Sequence, residues 1–111
     1  MQEEDQFEIF RLQAELCKAL ADPKRLRIIS ELRHGERTVS ELVDILGMKQ
    51  SNTSQHLGVL RRIGLLTFHR SGNIVYYRLA NPKIGEACDI VHQVIADQLQ
   101  GSHNLAQAIS A

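Results

Sequence analysis

Apolar residues recur every three to four positions over most of the chain, and then alternate for a short stretch before the helical period returns. Phe7, Phe10, Ala14, Cys17 and Ala21, widened by Ile9, Leu12, Leu16 and Leu20, predict a first helix over 6–21. Asp22-Pro23 supplies an N-cap followed by proline at the first helical position, and starts a second helix. Its expected buried stripe is Leu26, Ile29 and Leu32 with Ile28 beside them, and Gly35 is its expected stop. Ser40 is the predicted N-cap of a third helix, which carries Leu42, Ile45 and Leu46 and ends at Gly47. Thr53, Leu57, Leu60 and Gly64 set the inward spacing of a fourth helix over 50–63.

Beyond Gly64 the period becomes extended. Residues 65–70 and 74–79 flank Ser71-Gly72-Asn73, the pattern of a β-hairpin with a polar, basic tip. Pro82 then opens a last helix over 82–100, with Ile84, Cys88, Val91, Ile95 and Leu99 on one face and Gly101 as its expected end. Residues 102–111 are weakly patterned and are expected as a loosely ordered tail.

The fold class that follows is mainly α with a β-hairpin, a winged helix-turn-helix in the order α-α-α-α-β-β-α. Helix-turn-helix spans 40–63 and the wing 65–79. At 111 residues the chain is one domain over 1–111, and so small a core makes oligomerisation an expectation. Only Phe7, Phe10, Phe68, Tyr76 and Tyr77 are aromatic, so the core must be aliphatic.

Thirteen basic and thirteen acidic side chains cancel, which taken alone argues against a nucleic-acid partner. Their distribution reverses that reading. Residues 45–85 contain six Lys and Arg and no acidic residue, whereas residues 1–44 and 86–111 are each net −3. Attraction to phosphate acts over about a Debye length, roughly 8–10 Å, so a basic middle can hold DNA in a neutral protein. The outer face of the fourth helix carries Gln50, Ser51, Ser54, Gln55 and Gly58, flanked by Lys49, Asn52 and His56. Gln can pair bidentately with adenine, Ser lets a helix sit deep in the major groove, and His56 can reach a base edge or a phosphate. Arg61 and Arg62 suit phosphate contacts that set register. Tyr76 and Tyr77 are expected to pack the hairpin on the helices, and His69 to attract phosphate.

One such helix reads only a few base pairs, so specificity calls for two, about one DNA turn apart in a two-fold dimer. The expected dimer surface is Phe7, Phe10, Ala14 and Cys17 on the first helix with Ile84, Cys88, Val91 and Ile95 on the last. The expected partners are a second copy and double-stranded DNA with two half-sites.

The runs Ala21-Asp22-Pro23-Lys24-Arg25-Leu26-Arg27-Ile28-Ile29, Val39-Ser40-Glu41-Leu42, Ser54-Gln55-His56-Leu57-Gly58-Val59-Leu60-Arg61-Arg62-Ile63-Gly64-Leu65-Leu66 and Val75-Tyr76-Tyr77-Arg78-Leu79 together resemble the ArsR/SmtB family of dimeric repressors. The resemblance covers about residues 8–98. It implies that Arg70 and the Ser71-Gly72-Asn73 turn lie against the minor groove or its phosphates, and that the end helices pack across a dimer axis. Two departures stand out: family members often carry a basic residue near Asn73 and a lysine at the place of Gly58.

The family's recurring metal motifs fall here on Val43 and Ile45, and on Asn81, Lys83, Val94 and Asp97, of which only Asp97 could ligate. What remains is Cys17, Cys88 and His92, candidates for a thiophilic metal, a metalloid or reactive sulfur acting as inducer. No cofactor is otherwise implied. The competing structural reading is that both cysteines simply fill apolar positions.

Other classes recede on the same residues. No run approaches the roughly 18 apolar residues of a membrane span and the N-terminus is acidic, so a cytoplasmic chain without signal peptide is expected. No glycine-rich phosphate loop or nucleophile elbow is present, so an enzyme is not expected. A constitutive DNA binder of this fold and a winged helix used for protein interaction remain as alternatives.

Overall fold

The computed structural model describes residues 3–110, the side chain of Ala106 aside. Its elements run α1 (Glu3–Leu20), α2 (Pro23–Leu32), β1 (Arg37–Thr38), α3 (Val39–Leu46), α4 (Gln50–Arg62), β2 (Leu66–Ser71), β3 (Ile74–Leu79) and α5 (Pro82–Ser110). Local chemistry explains most boundaries. The Asp22 carboxylate accepts from the backbone N–H groups of Lys24 (2.8 Å) and Arg25 (3.2 Å), which caps α2. Helix α3 is capped by Thr38 and not by Ser40. Thr38 Oγ1 accepts from the Glu41 N–H at 3.1 Å while the Glu41 carboxylate accepts from the Thr38 N–H at 3.0 Å, a reciprocal pair that Ser40, already inside the helix, cannot form. Gly47, at φ +65°, closes α3 in the left-handed conformation that glycine adopts freely.

The hairpin is part of a three-stranded antiparallel sheet in the order β1-β3-β2, because Arg37 and Thr38 pair with Tyr77 and Tyr76. A two-residue strand carries no alternation and leaves no sequence signal. The β2–β3 register runs from Leu66↔Leu79 to Ser71↔Ile74, so the turn is Gly72-Asn73 alone. Gly72 takes φ +63°, as the first central position of a two-residue hairpin turn demands.

The core is wholly aliphatic: Ile28, Ile29, Leu32, Leu42, Leu46, Leu57, Leu60, Leu65 and Leu66. Leu26, expected in the buried stripe, is 41% exposed instead. At 100° per residue it lies roughly 115° round the helix from the middle of the Ile28–Ile29–Leu32 stripe, at the edge of what α2 can bury. Ile45 is likewise exposed, while Thr53 is fully buried and donates its hydroxyl to the Lys49 carbonyl at 2.9 Å.

Helix α5 does not end at Gly101 but continues to Ser110, so the segment expected as a loose tail is helical as far as it is described. Gly101 has no positive φ, and a glycine inside a helix costs about 1 kcal/mol without forbidding it. Near its start α5 packs closely on α2: a Cβ on Gly85 would stand 2.5 Å from Arg33 Cγ, so only glycine fits beneath that side chain. Helices α1 and α5 leave the body extended, with a radius of gyration of 17.7 Å against about 13 Å for a compact domain of this length.

Candidate nucleic-acid interface

Helix α4 turns Thr53, Leu57 and Leu60 into the core, which leaves the opposite face outward. Lys49, Gln50, Ser51, Ser54, Gln55, Arg61 and Arg62 are exposed, and Asn52, His56 and Gly58 are half-buried on its flanks. No side chain caps the N-terminus of α4 and its first turn has no acidic residue, so the positive end of the helix stays open to anions. A Cβ at Gly58 would meet Arg62 Nη1 at 3.4 Å, so the glycine leaves room for that guanidinium along the helix.

The wing brings Arg70, Ser71, Gly72 and Asn73 to an exposed tip. Its base is held by aromatic contacts. The Arg61 guanidinium lies 4.9 Å from the centre of the Phe68 ring, and Phe68 meets Tyr77 at 6.0 Å. Arg61, expected on phosphate, thereby ties the end of α4 to β2, and Arg62 is the freer of the pair. His69 has a partner the sequence reading missed: its Nε2 lies 2.7 Å from a Glu36 carboxylate oxygen while its ring stacks on Tyr76 at 5.3 Å. Glu36 is outside the acid-free stretch in sequence but meets it in space, so His69 anchors the wing to the loop before β1 and is not a bare phosphate contact.

A second missed residue is Arg25. Its Nε donates to the Ala19 carbonyl at 2.5 Å, and its Nη1 stands 3.4 Å from His56 Nδ1, so one side chain of α2 touches the end of α1 and the flank of α4. Nothing in the local sequence pattern distinguishes it from Lys24 or Arg27.

The dimer candidates divide in two. Phe7 (72% exposed), Phe10 (66%), Val91 (63%) and Ile95 (51%) lie open, as do Ala14 and Cys17. Ile84 and Cys88 instead turn inward and pack half-buried against the protomer's own core. Burial, followed by the nearby Cys17, pushes the Cys88 thiol up, with Arg33 opposing, so the two cysteines lie within electrostatic reach inside one protomer. His92 is exposed one turn beyond Cys88. Among the described residues no group of three or more His, Cys, Asp or Glu could hold a metal ion. No described helix is long and apolar enough to cross a membrane.

Comparison with known proteins converges on this architecture. Residues 22–67 match the model of the arsR family of bacterial regulatory proteins. The chain is 42% identical over 89 residues, 79% of its length and 78% of the relative's, to the uncharacterized HTH-type transcriptional regulator Rv0081 of Mycobacterium tuberculosis. It is 47% identical to the HTH-type transcriptional repressor SmtB of that organism, over 67% of this chain and 55% of that protein. The crystal structure of Rv0081 superposes with a TM-score of 0.76 at 40% identity, covering 85% of this chain and 95% of that one. The homodimeric winged helix-turn-helix DNA-binding domain of Mb0332 from Mycobacterium bovis superposes at 0.74 with 33% identity, covering 88% and 90%. The family and these relatives are transcriptional regulators, not enzymes, and the chain belongs to the arsR family as a winged helix-turn-helix transcriptional regulator.

Proposed function

We propose that this regulator acts as a homodimeric repressor in the cytoplasm, bound to an operator of two half-sites until an inducer releases it. The observation that carries the reading is that α4 and the wing contribute no acidic side chain of their own and join Gln50, Ser51, Ser54 and Gln55 to Arg62 and Arg70. In this reading the polar side chains of α4 enter the major groove, Arg62 holds phosphate, and Arg70 with Ser71-Gly72-Asn73 reaches the neighbouring minor groove or its backbone. Pairing uses the exposed apolar faces of α1 and α5, Phe7 and Phe10 with Val91 and Ile95, because a chain of this size that exposes them has not buried enough surface alone.

The inducer in this proposal is a soft, thiol-seeking species that engages Cys17 and Cys88. The electrostatic influence of Cys17 on Cys88 within one protomer supports that reading, and a soft ligand would bind the sulfurs by displacing the proton that burial favours on Cys88. Bridging them couples α1 to α5, the two helices that set the spacing of the recognition helices. The test is binding of the purified protein to its own upstream DNA, followed by fluorescence anisotropy and titrated with zinc, arsenite and a polysulfide donor. Release of the wild type but not of the Cys17→Ser/Cys88→Ser variant is expected. Tight binding that ignores all three agents would leave a constitutive binder, and no binding at all would move a protein-interaction role to the front.

A further inference from the structure

Resting on the DNA-binding reading of α4, we propose that Arg25 is a positioning residue for the interface: it holds His56 as the neutral Nε2–H tautomer, making its outer nitrogen a hydrogen-bond donor for an acceptor on DNA. The geometry that motivates this is the 3.4 Å approach of Arg25 Nη1 to His56 Nδ1. A guanidinium has five donors, no acceptor, and keeps its charge in proteins. A ring nitrogen facing it must therefore offer its lone pair, which puts the single imidazole proton on Nε2.

Arg25 can impose this because its own direction is fixed. Nε donates to the Ala19 carbonyl at 2.5 Å, and the Arg25 backbone N–H donates to Asp22 Oδ1 at 3.2 Å. Asp22 is the other charge within electrostatic reach of His56, but its carboxylate already accepts from two backbone N–H groups as the α2 cap. Among the described residues His56 Nε2 makes no hydrogen bond, and the ring sits half-buried on the flank of α4 beside Gln55 and Gly58. A donor there selects acceptors, whether a phosphate oxygen or a base acceptor (O6 or N7 of guanine, N7 of adenine, O4 of thymine), and rejects the amino groups of adenine and cytosine.

The experiment reads the tautomer directly. Two-bond proton–nitrogen correlation spectra of the ¹⁵N-histidine-labelled full chain at pH 8, without DNA, should show His56 with a protonated Nε2 and a bare Nδ1. Arg25→Met, which keeps the aliphatic stem and removes the donors, should bring the two nitrogen shifts together and weaken binding to upstream DNA about tenfold, while Arg25→Lys restores both. Changing each operator base in turn separates the two kinds of acceptor. A tenfold loss at one position in the wild type but not in His56→Ala marks a base edge; no such position, with His56→Ala weakening every operator by the same factor, marks phosphate. A proton on Nδ1 in the wild-type protein, or an unchanged signature in Arg25→Met, overturns the proposal. If Arg25→Met fails to fold, the wild-type spectrum is compared with free histidine at the same pH: a wider separation of the two nitrogen shifts in the protein supports the proposal, and an equal or narrower one overturns it. Failure of the wild type to bind any DNA would count against the repressor reading alone, since the tautomer is measured without it.

Discussion

The two halves of this molecule use the same kind of apolar repeat for opposite ends. In α2, α3 and α4 the repeat is consumed within the protomer: Ile28, Ile29, Leu42, Leu57 and Leu60 are all fully buried. In α1 only Ala19 is buried, and Phe7, Phe10, Leu99, Leu105 and Ile109 on α1 and α5 stand 63–77% exposed. The contrast teaches that periodicity identifies a face and leaves its partner open. A face that finds its cover inside the chain contributes to folding, whereas one that does not is an interface in waiting.

The sharpest way to break that comparison is to truncate one residue of each kind. Leu57→Ala removes a fully buried side chain from close-packed neighbours and should cost about 3 kcal/mol by denaturant titration. Leu99→Ala, 67% exposed in the protomer, should change stability by less than about 0.5 kcal/mol at concentrations where the protein is monomeric. Equal losses would mean that α5 belongs to the folding core after all.

Next in size is the effect on assembly. The wild-type melting temperature should rise with protein concentration, because association stabilises only the folded chain. Phe10→Asp and Ile95→Asp place a charge on the exposed faces, so each should sediment as a monomer, melt independently of concentration and bind operator DNA at least tenfold more weakly. A Phe10→Asp dimer as tight as the wild type would remove α1 from the interface.

How far the contrast could be read in advance follows from the physics of each signal. The helices, the hairpin and the inward stripe Thr53-Leu57-Leu60 were legible because burial imposes a period on the residues themselves. The acid-free stretch 45–85 was legible because charge is written in composition, while the Glu36 carboxylate that meets it at His69 was not. Other features rest on contacts between distant positions. β1 exists only because Tyr76 and Tyr77 offer an edge, whereas Thr38 displaced Ser40 as cap through a local T-x-x-E pattern, Thr38 with Glu41, that the sequence already carried. Arg25 on His56, Glu36 on His69 and Arg61 on Phe68 join residues up to thirty-three positions apart, and no local pattern announces them. Gly101 misled in the other direction: a stop needs a left-handed residue, and the glycine alone does not make one.

Within the inward-facing half, α4 itself has two faces, and a smaller effect separates the outer one into readers and holders. Arg62→Ala should weaken binding to all DNA by a similar factor and lower the slope of log affinity against log salt by about one. Gln50→Ala and Ser54→Ala should leave that slope alone and instead relax preference at one base step of each half-site, by about 1–3 kcal/mol. Anisotropy titrations over a salt series, with matched and single-substituted operators, give both quantities. A salt slope altered equally by all three variants would contradict the division.

The smallest effect falls at the joint between the two halves, where Asp22 ends the run of α1 and caps α2. Its carboxyl is held below the ordinary value of 3.8, chiefly by the hydrogen bond from the Arg25 N–H, with that from Lys24 and the charges of His56 and Arg25 adding to it and burial opposing. A carboxyl whose folded pKa lies below its unfolded one stabilises the fold fully above the unfolded value, and loses that contribution as pH falls through the folded value. The stability gap between wild type and Asp22→Ala should therefore be constant near neutrality, begin to narrow around pH 4 and fall below it toward the residual gap of a neutral cap. Asp22→Asn keeps a side-chain acceptor for the cap but has no proton to take up, so its gap to Asp22→Ala should stay flat across the same range. Thermal melts of the three proteins between pH 3 and 7 separate the two ideas. If the Asp22→Ala gap is as wide at pH 3 as at pH 7, the cap works by shape and hydrogen bonding alone, and the negative charge at the joint contributes nothing to α2.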